Sequence, residues 1–349
     1  MITSTRLPAV RLTWDKALVG LVVLTFVFGA LTQPRFSRGS NMSFILLDIG
    51  EIMIIALAMT LVIITGEIDL SVASVAALSS CVLGWTFAHG LPMPVAVVLA
   101  LVTGMLCGAF NGTLVSRLGL PSLAVTIGTL ALFRGLCWAL LGDTTVANFP
   151  YSWTKLGSSD IPRTYIPWVA PLLLVLIVVF TVLLHLTRSG RWIFGVGQSA
   201  EAANFAGIPV RRVKRRLFIL SGGMAGLAGV VYTMRFASAR PDGAIGYELL
   251  VIAAVLFGGV SIFGGVGTMW GVVAAVLFLG ELRSLLLLNN VPPNALNIIN
   301  GGLLLTSVIV PALVARLPRR RPRLPGPGTE SPAQGVPELL PSSGAAMRT

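Results

Sequence analysis

The sequence predicts an all-α integral membrane protein with about ten transmembrane helices. Of its 349 residues, 55% are hydrophobic and only 11% are charged, and the mean hydropathy is +0.88, a composition that ordinary soluble domains do not show. Apolar runs of about 20 residues recur along the chain, which is the length that a helix needs to cross a bilayer core about 30 Å thick. The runs lack the alternation of barrel strands, and lipid leaves free backbone groups unsatisfied, so helices are predicted.

Charges, prolines and glycines bound these apolar runs and define the predicted elements in order. The first run follows Arg11 and Lys16. It is expected to remain as an uncleaved span because no small-residue cleavage motif follows it. The predicted spans cover residues 16–33, 44–65, 70–88, 93–115, 121–141, 166–187, 217–236, 248–264, 268–288 and 295–315.

Three regions follow from these spans. Residues 1–15 are predicted to form a cytoplasmic N-terminal segment, and residues 16–315 a transmembrane domain whose loop 188–216 is cytoplasmic. Residues 316–349 form a tail that is rich in Pro, Gly and Ser, a composition that predicts disorder.

Positive charges indicate the orientation of the chain. They concentrate in the loop 188–216 and after residue 315, which places both segments in the cytoplasm. Arg6, Arg11 and Lys16 place the N-terminus there too, and an even number of spans satisfies all three assignments. The loop 142–165 then faces outward. The net charge of +12 is explained by this topology, so membrane lipid is the expected partner of the basic segments and nucleic acid is not.

Small residues and short internal echoes suggest how the spans pack. Gly104, Gly108 and Gly112 recur every fourth residue, which favours close helix packing, with a hinge as the alternative. Residues 66–70 before the third span echo residues 246–250 before the eighth. A five-plus-five inverted repeat would explain this echo, and a chain without a repeat remains equally open.

Polar residues within the spans are candidates for a substrate path. An ionisable group there costs about 2.5 to 3.5 kcal/mol on insertion scales, and such groups usually face a bundle interior or a watery cavity. For Glu67 and Asp69 the alternative is that they cap the third span from a cytoplasmic turn. The predicted path residues are Glu67, Asp69, Asn111, Glu248 and Asn297.

Four further ionisable residues interrupt predicted spans or lie near their ends. Asp48 and Glu51 share one helix face and are expected either along the path or at the outer headgroups. Glu281 and Arg283 are expected to pair with each other or to reach toward the membrane surface. Arg134 interrupts the fifth span.

Catalytic motifs are absent from the sequence. Lysine occurs only at positions 16, 155 and 214, and none follows the glycine-rich run of a P-loop. Cys81, Cys107 and Cys137 lie within spans at no metal-ligand spacing. The chain is therefore predicted to be no enzyme and to hold no cofactor or metal of its own.

Four ordered blocks carry a resemblance to a known family. Residues 198–210, Gln-Ser-Ala-Glu-Ala-Ala-Asn-Phe-Ala-Gly-Ile-Pro-Val, resemble the cytoplasmic coupling segment of bacterial ATP-binding cassette (ABC) importer permeases of the ribose, rhamnose and autoinducer-2 group. Residues 66–71, 238–249 and 256–268 resemble three further motifs of that family. The likeness covers about residues 40–315.

The resemblance implies a permease subunit in the bacterial inner membrane, with both termini in the cytoplasm. A second permease would complete a central path. Cytoplasmic ATPases would bind ATP and Mg²⁺ and grip the coupling segment, and an extracytoplasmic binding protein would deliver a sugar or sugar-like ligand. The implied ATPase-coupling residues are Ala200, Glu201, Ala202, Ala203, Asn204, Gly207 and Ile208.

One departure and two competing functions remain. Glu67 stands where the family usually has glycine, which marks one partner of a heterodimer, a changed ligand, or nothing. Residues 89–111 are most similar to the second permease of autoinducer-2 or rhamnose systems. The alternatives are a secondary transporter driven by an ion gradient and a membrane scaffold or receptor.

Overall fold

The computed structural model describes residues 14–292 and the single positions 298, 301, 302 and 305. Most of the predicted tenth span, all of the predicted tail and residues 1–13 lie outside the described residues. The described part forms thirteen helices. They are α1 (Trp14–Thr32), α2 (Gly39–Asp48), α3 (Gly50–Ile64), α4 (Val72–Ala88), α5 (Met93–Arg117), α6 (Ser122–Leu141), α7 (Tyr151–Ser158), α8 (Val169–His185), α9 (Arg188–Gln198), α10 (Ala200–Phe205), α11 (Val210–Phe236), α12 (Tyr247–Phe257) and α13 (Met269–Leu288).

The helices confirm an all-α membrane protein. Helices α1, α5, α6, α11 and α13 are each long and apolar enough to cross a membrane. Two bent pairs, α2 with α3 at 45° and α8 with α9 at 64°, pass the same test together, so the described residues hold five to seven spans by length and composition. Helices α4 and α12 coincide with predicted spans but are shorter.

One predicted span is wrong in its bounds, and one helix extends beyond its predicted span. The eighth span was expected over 248–264, yet α12 ends at Phe257 because the chain turns at Gly258 and at Gly259, whose φ is 86°. Eleven residues rise about 16 Å, roughly half of a bilayer core. The predicted seventh span, 217–236, lies within α11, which begins at Val210, so the basic residues before 217 form the first two turns of this helix.

Helix α3 forms the centre of the bundle, and all fifteen of its residues are buried. A helix that is apolar around its whole circumference is expected in such a position. It packs against α8, α11, α12 and α13. The faces exposed on α1, α5, α6 and α8 are instead apolar, with Leu31, Leu106 and Leu174 among their most exposed side chains.

Helices α5 and α11 make the closest packing in the bundle. A Cβ atom added at Gly108 would collide with the carbonyl oxygen of Phe218, and one added at Gly222 would collide with that of Gly104. The absence of side chains lets the two backbones touch. The close-packing interpretation of these glycines is therefore confirmed.

Candidate coupling and translocation site

The coupling segment folds as two short helices between α8 and α11. Helix α10 begins at Ala200, and the hydroxyl of the preceding Ser199 accepts a hydrogen bond from the N–H of Ala202 at 3.1 Å, as a helix cap requires. It ends before Gly207, whose φ of 81° lies in the left-handed region that glycine adopts freely. A serine and a glycine thus fix both ends of α10.

Most of the predicted coupling residues are accessible. Glu201, Ala202, Asn204 and Gly207 are exposed, and Ala200 and Ile208 are half-buried. Ala203 is buried, so it packs α10 against the bundle and offers no surface to a partner.

Phe205 was missing from the predicted coupling residues. Its side chain is 92% exposed at the end of α10. The signal was present in the sequence, because a large aromatic residue stands there in a stretch of small and polar residues. An exposed aromatic anchor is typical of a binding surface.

The backbone at the C-terminal end of α9 contacts the backbone at the end of α3 and that of the loop between α12 and α13. The N–H of Gly265, in the loop between α12 and α13, donates to the carbonyl oxygen of Ile64 at 2.8 Å. A Cβ atom at Gly197 would collide with that same oxygen. We call this contact of Gly197, Ile64 and Gly265 the backbone joint. Gly265 lies within one of the four sequence blocks that carry the family resemblance, and Gly197 and Ile64 lie just before two others.

Asp69 lies at the start of α4 in a buried hydrogen-bond network. Its Oδ1 accepts from the backbone N–H of Ser71 at 3.0 Å and from the Ser71 hydroxyl at 2.6 Å. Its Oδ2 accepts from the Ser221 hydroxyl at 3.3 Å. Asn111 donates to the Ser71 hydroxyl at 2.8 Å. The structure thus brings Asp69 and Asn111 together. Asp69 bonds Ser71, the residue that precedes α4, and α4 has no side-chain cap, so the role of Asp69 as a cap or along the path stays a prediction.

Glu67 forms an ion pair with Lys214. Glu67 belongs to the turn between α3 and α4, and Lys214 to the second turn of α11, so the pair connects this turn to the helix that follows the coupling segment. Both side chains are mostly buried. The carboxylate that departs from the family pattern therefore has a partner within this chain.

The other predicted path residues lie elsewhere. Glu248 is half-buried in the first turn of α12, at the end of that helix away from the backbone joint. Asn297 lies outside the described residues. The five predicted residues therefore do not form one cluster in the described part of the chain.

A second cluster of charges is buried near the other end of the bundle. Arg235 contacts Asp48 at 2.8 Å and Glu51 at 3.0 Å, and Arg283 contacts Asp48 at 3.0 Å. We call these four residues the Arg235 network. Asp48 and Glu51 are buried inside the protein, and their placement along the path or at the depth of the outer headgroups stays a prediction. The expected pairing of Glu281 with Arg283 is not formed, since Arg283 pairs with Asp48.

Arg235 itself was not predicted as a site residue because it ends a helix, where arginine is common. Here it brings together two carboxylates from α2 and α3. A cavity of about 20 Å³ adjoins the network and is lined in part by Asp48, Leu250 and Arg283. It has the size of a single water molecule.

Arg134 holds the loop between α11 and α12. Its guanidinium donates to the carbonyl oxygens of Pro241 at 2.7 Å and Gly243 at 2.8 Å. In the same loop Arg240 pairs with Asp242 at 2.6 Å, and this hydrogen-bonded pair raises the pKa of the Arg240 guanidinium. The cationic interruption of α6 therefore has a structural partner.

Comparisons with known proteins agree with the family resemblance. The profile of a family described as the permease component of branched-chain amino acid transport systems matches residues 41–308. The autoinducer 2 import system permease protein LsrD of Escherichia coli strain K12 is 34% identical over 307 residues, which are 86% of this chain and 92% of that protein. LsrD of Shigella flexneri matches with the same identity and coverage.

No solved structure matches the chain significantly. The family profile spans almost the whole region over which the resemblance was expected, and the relatives span more than four fifths of the chain. The chain therefore belongs to the family of transport-system permease components.

Proposed function

We propose that this chain is the membrane-spanning permease subunit of a bacterial ABC importer, and that its ligand is a sugar-like molecule of the autoinducer-2 class. Membership of the permease family supports the first part. The names of the LsrD relatives support the second part, with ribose and rhamnose as the other ligands of the same group.

The exposed helix α10 carries the coupling part of the proposal. A separate cytoplasmic ATPase binds ATP and Mg²⁺ and receives α10 in a surface groove. Phe205 supplies an apolar anchor, and Glu201 supplies a charge beside it. The sequence itself has no P-loop, so the energy for transport enters through this contact.

The backbone joint carries the movement onward. When the ATPases close, α10 and α9 are displaced together, since only Ser199 separates them. Gly197 then acts directly on the C-terminal end of α3 and on the loop before α13. Backbone contacts have no flexible side chain to absorb the displacement, so it reaches the bundle and shifts the equilibrium between inward-open and outward-open states.

A second permease subunit completes the path in this proposal. Asp69 bonds Ser71 and Ser221, and Asn111 donates to Ser71, inside one subunit, so the two residues hold α4, α5 and α11 in position and leave the ligand to the interface between the two subunits. The extracytoplasmic binding protein docks at the opposite face, which includes the loop held by Arg134. Both termini lie in the cytoplasm of a cell with an inner membrane.

The coupling contact can be tested with the assembled importer in proteoliposomes. Phe205→Ala is expected to weaken binding of the ATPase about tenfold or more, because exposed aromatic anchors dominate such interfaces. Glu201→Arg is expected to uncouple ATP hydrolysis from uptake. Phe28→Ala, which removes an exposed phenylalanine from α1, is the matched control and is expected to change neither.

The ligand is tested by uptake in a deletion strain that is complemented with this chain. Autoinducer-2 uptake should be lost on deletion and restored by the chain, whereas ribose and rhamnose uptake should remain. Uptake that continues without the ATPase and collapses with a protonophore would instead identify a secondary transporter.

A further inference from the structure

A pocket of about 650 Å³ opens between the ends of α5 and α11 on the side of the coupling segment. It lies where α5 ends at Arg117 and where α11 has its basic first turns. We call it the arginine pocket. It is lined by Ser116, Arg117, Arg211, Arg212, Arg215, Arg216 and Ile219.

The charge of the pocket is strongly unbalanced. Five guanidinium groups line it, and no acidic side chain of the described residues does. Arginine stays protonated in proteins, so its positive charges cannot be relieved by loss of a proton. Lys214, in the same turns, is already paired with Glu67. Clustered like charges repel one another, and an anion in the pocket would offset this repulsion.

Two polar atoms of the lining residues also lack partners. The Nε atom of Arg215 and the hydroxyl of Ser116 are buried and make no hydrogen bond to any described residue. Ser116 is only 7% exposed, so it is more than nine-tenths buried. Buried polar groups are normally satisfied. Both can donate a hydrogen bond, which suits an oxyanion.

The apolar residues beside the pocket indicate the source of the anion. The arginines of α11 precede the apolar run that starts at Leu217, and Ile219 forms an apolar part of the pocket wall. Leu118 and Leu120, which follow Arg117, are exposed apolar side chains. A ligand here would hold its charged end among the guanidinium groups and continue along apolar surface, as a membrane lipid does.

We propose that the arginine pocket binds the phosphate groups of an anionic phospholipid headgroup. The guanidinium groups form charge-assisted hydrogen bonds to the phosphate oxygens, and the N-terminal end of α11 adds its positive partial charge. The volume exceeds the space that one phosphate occupies and leaves room for a headgroup with two. This site is separate from the coupling contact and does not depend on the ligand that is transported.

Native mass spectrometry of the purified importer tests the proposal by counting retained cardiolipin and phosphatidylglycerol. Replacing one pocket arginine is expected to weaken retention about fivefold, the effect of one basic residue on an anionic lipid. The variants are Arg215→Gln and Arg212→Gln. Arg191→Gln, which removes an exposed charge from α9 outside the pocket, is the matched control and is expected to retain the wild-type amount.

Ser116→Ala separates a defined site from general attraction to positive charge. This variant leaves the charge unchanged, yet it is expected to lower retention because one donor is lost. All variants are compared only where size-exclusion profiles show an assembled importer. If Arg215→Gln does not assemble, the double variant Arg211→Gln with Arg216→Gln replaces it in the experiment.

Three results would overturn the proposal. Equal lipid retention in the pocket variants and in Arg191→Gln would show that the pocket is not the site. If added inorganic phosphate displaces the lipid and itself remains bound in the pocket, the ligand is a soluble anion. Loss of the ATPase with unchanged lipid retention would show that the arginines bind an acidic protein surface.

Discussion

At the scale of the residue, Arg235 is the side chain whose replacement is expected to destabilise the fold most. It is 12% exposed and holds two carboxylates that are more deeply buried. Removing one partner of a buried charge network leaves the remaining charges uncompensated, which is more destabilising than the network itself is stabilising.

We expect Arg235→Gln to lower the free energy of unfolding by about 3 to 5 kcal/mol. Thermal unfolding of the purified subunit in detergent measures the effect. Arg283→Gln should have a smaller effect because Arg283 is 41% exposed. The control is Arg240→Gln, which breaks an exposed pair and should leave the unfolding temperature unchanged. Equal shifts for all three variants would contradict a special role of Arg235.

The pair of Glu67 and Lys214 gives a second prediction. Glu67→Lys places two positive charges in contact at a mostly buried position and is expected to lower uptake about tenfold or more, because uncompensated buried charges are strongly destabilising. The exchanged variant, Glu67→Lys with Lys214→Glu, should recover most of the uptake. If the exchange restores nothing, the carboxylate acts on the ligand or on another subunit, and the pair is incidental.

Sequence reasoning identified several residues of the site because their type is unusual within apolar runs. Glu67, Asp69 and Asn111 stood out in this way, and the last two do share one network. It could not pair Glu67 with Lys214, because the two are 147 positions apart and only the fold brings them together. Arg235 was missed for a similar reason, since its carboxylates come from a distant part of the chain.

At the scale of the element, the backbone joint is the feature with the sharpest consequence. Gly197 touches the carbonyl oxygen of Ile64 with no room for a methyl group. Gly195, two residues earlier, would place a Cβ atom 3.5 Å from the Cδ1 atom of Ile208, which is an ordinary contact.

The added methyl group of Gly197→Ala would push the backbone of α9 away from that of Ile64, at a cost on the order of 1 to 3 kcal/mol. We therefore expect uptake to fall at least tenfold. The ATPase should still bind, because α10 is unchanged. Gly195→Ala is the matched control and should transport normally. The measurements are uptake and ATPase pull-down for both variants. Normal uptake by Gly197→Ala would show that the joint transmits nothing.

The short helix α12 shows why element boundaries escaped prediction. Residues 248–264 form one apolar run, and hydropathy does not register a change of backbone direction within it. The glycines that end α12 are neither charged nor strongly polar. The bend between α2 and α3 was missed in the same way, since apolar side chains continue through it. The break between α8 and α9 instead falls at the predicted end of the sixth span.

At the scale of the whole molecule, the described helices confirm the membrane fold and leave the orientation a prediction. The three cysteines are all buried, so they give little background in a labelling experiment. Tyr151 is 74% exposed on α7 and Phe205 is 92% exposed on α10, and the two helices are expected on opposite faces of the membrane.

A membrane-impermeant maleimide should label Tyr151→Cys in intact spheroplasts, because α7 belongs to the predicted outer loop. Phe205→Cys should be labelled only after the membrane is opened. Mass shift on a gel measures both. The reverse pattern would invert the whole topology and would place the arginine pocket and α10 outside the cell.

The membrane fold was the most predictable property of the molecule, because a bilayer requires long apolar helices. The number of ten spans stays a prediction, since the described residues hold five to seven spans by length and composition. The inverted repeat stays a prediction. Much of its second half lies within the described residues, yet the tenth span that would complete it does not.

The complete burial of α3 has a mechanical consequence. A helix that turns or tilts at the protein's edge must exchange one set of lipid neighbours for another, and the energy of that exchange depends on the bilayer. All fifteen residues of α3 are buried. This helix can therefore rotate or tilt without exchanging any contact with lipid acyl chains. Bilayer thickness and fluidity then influence the transport cycle only through helices with exposed apolar faces, such as α1, α5, α6 and α8.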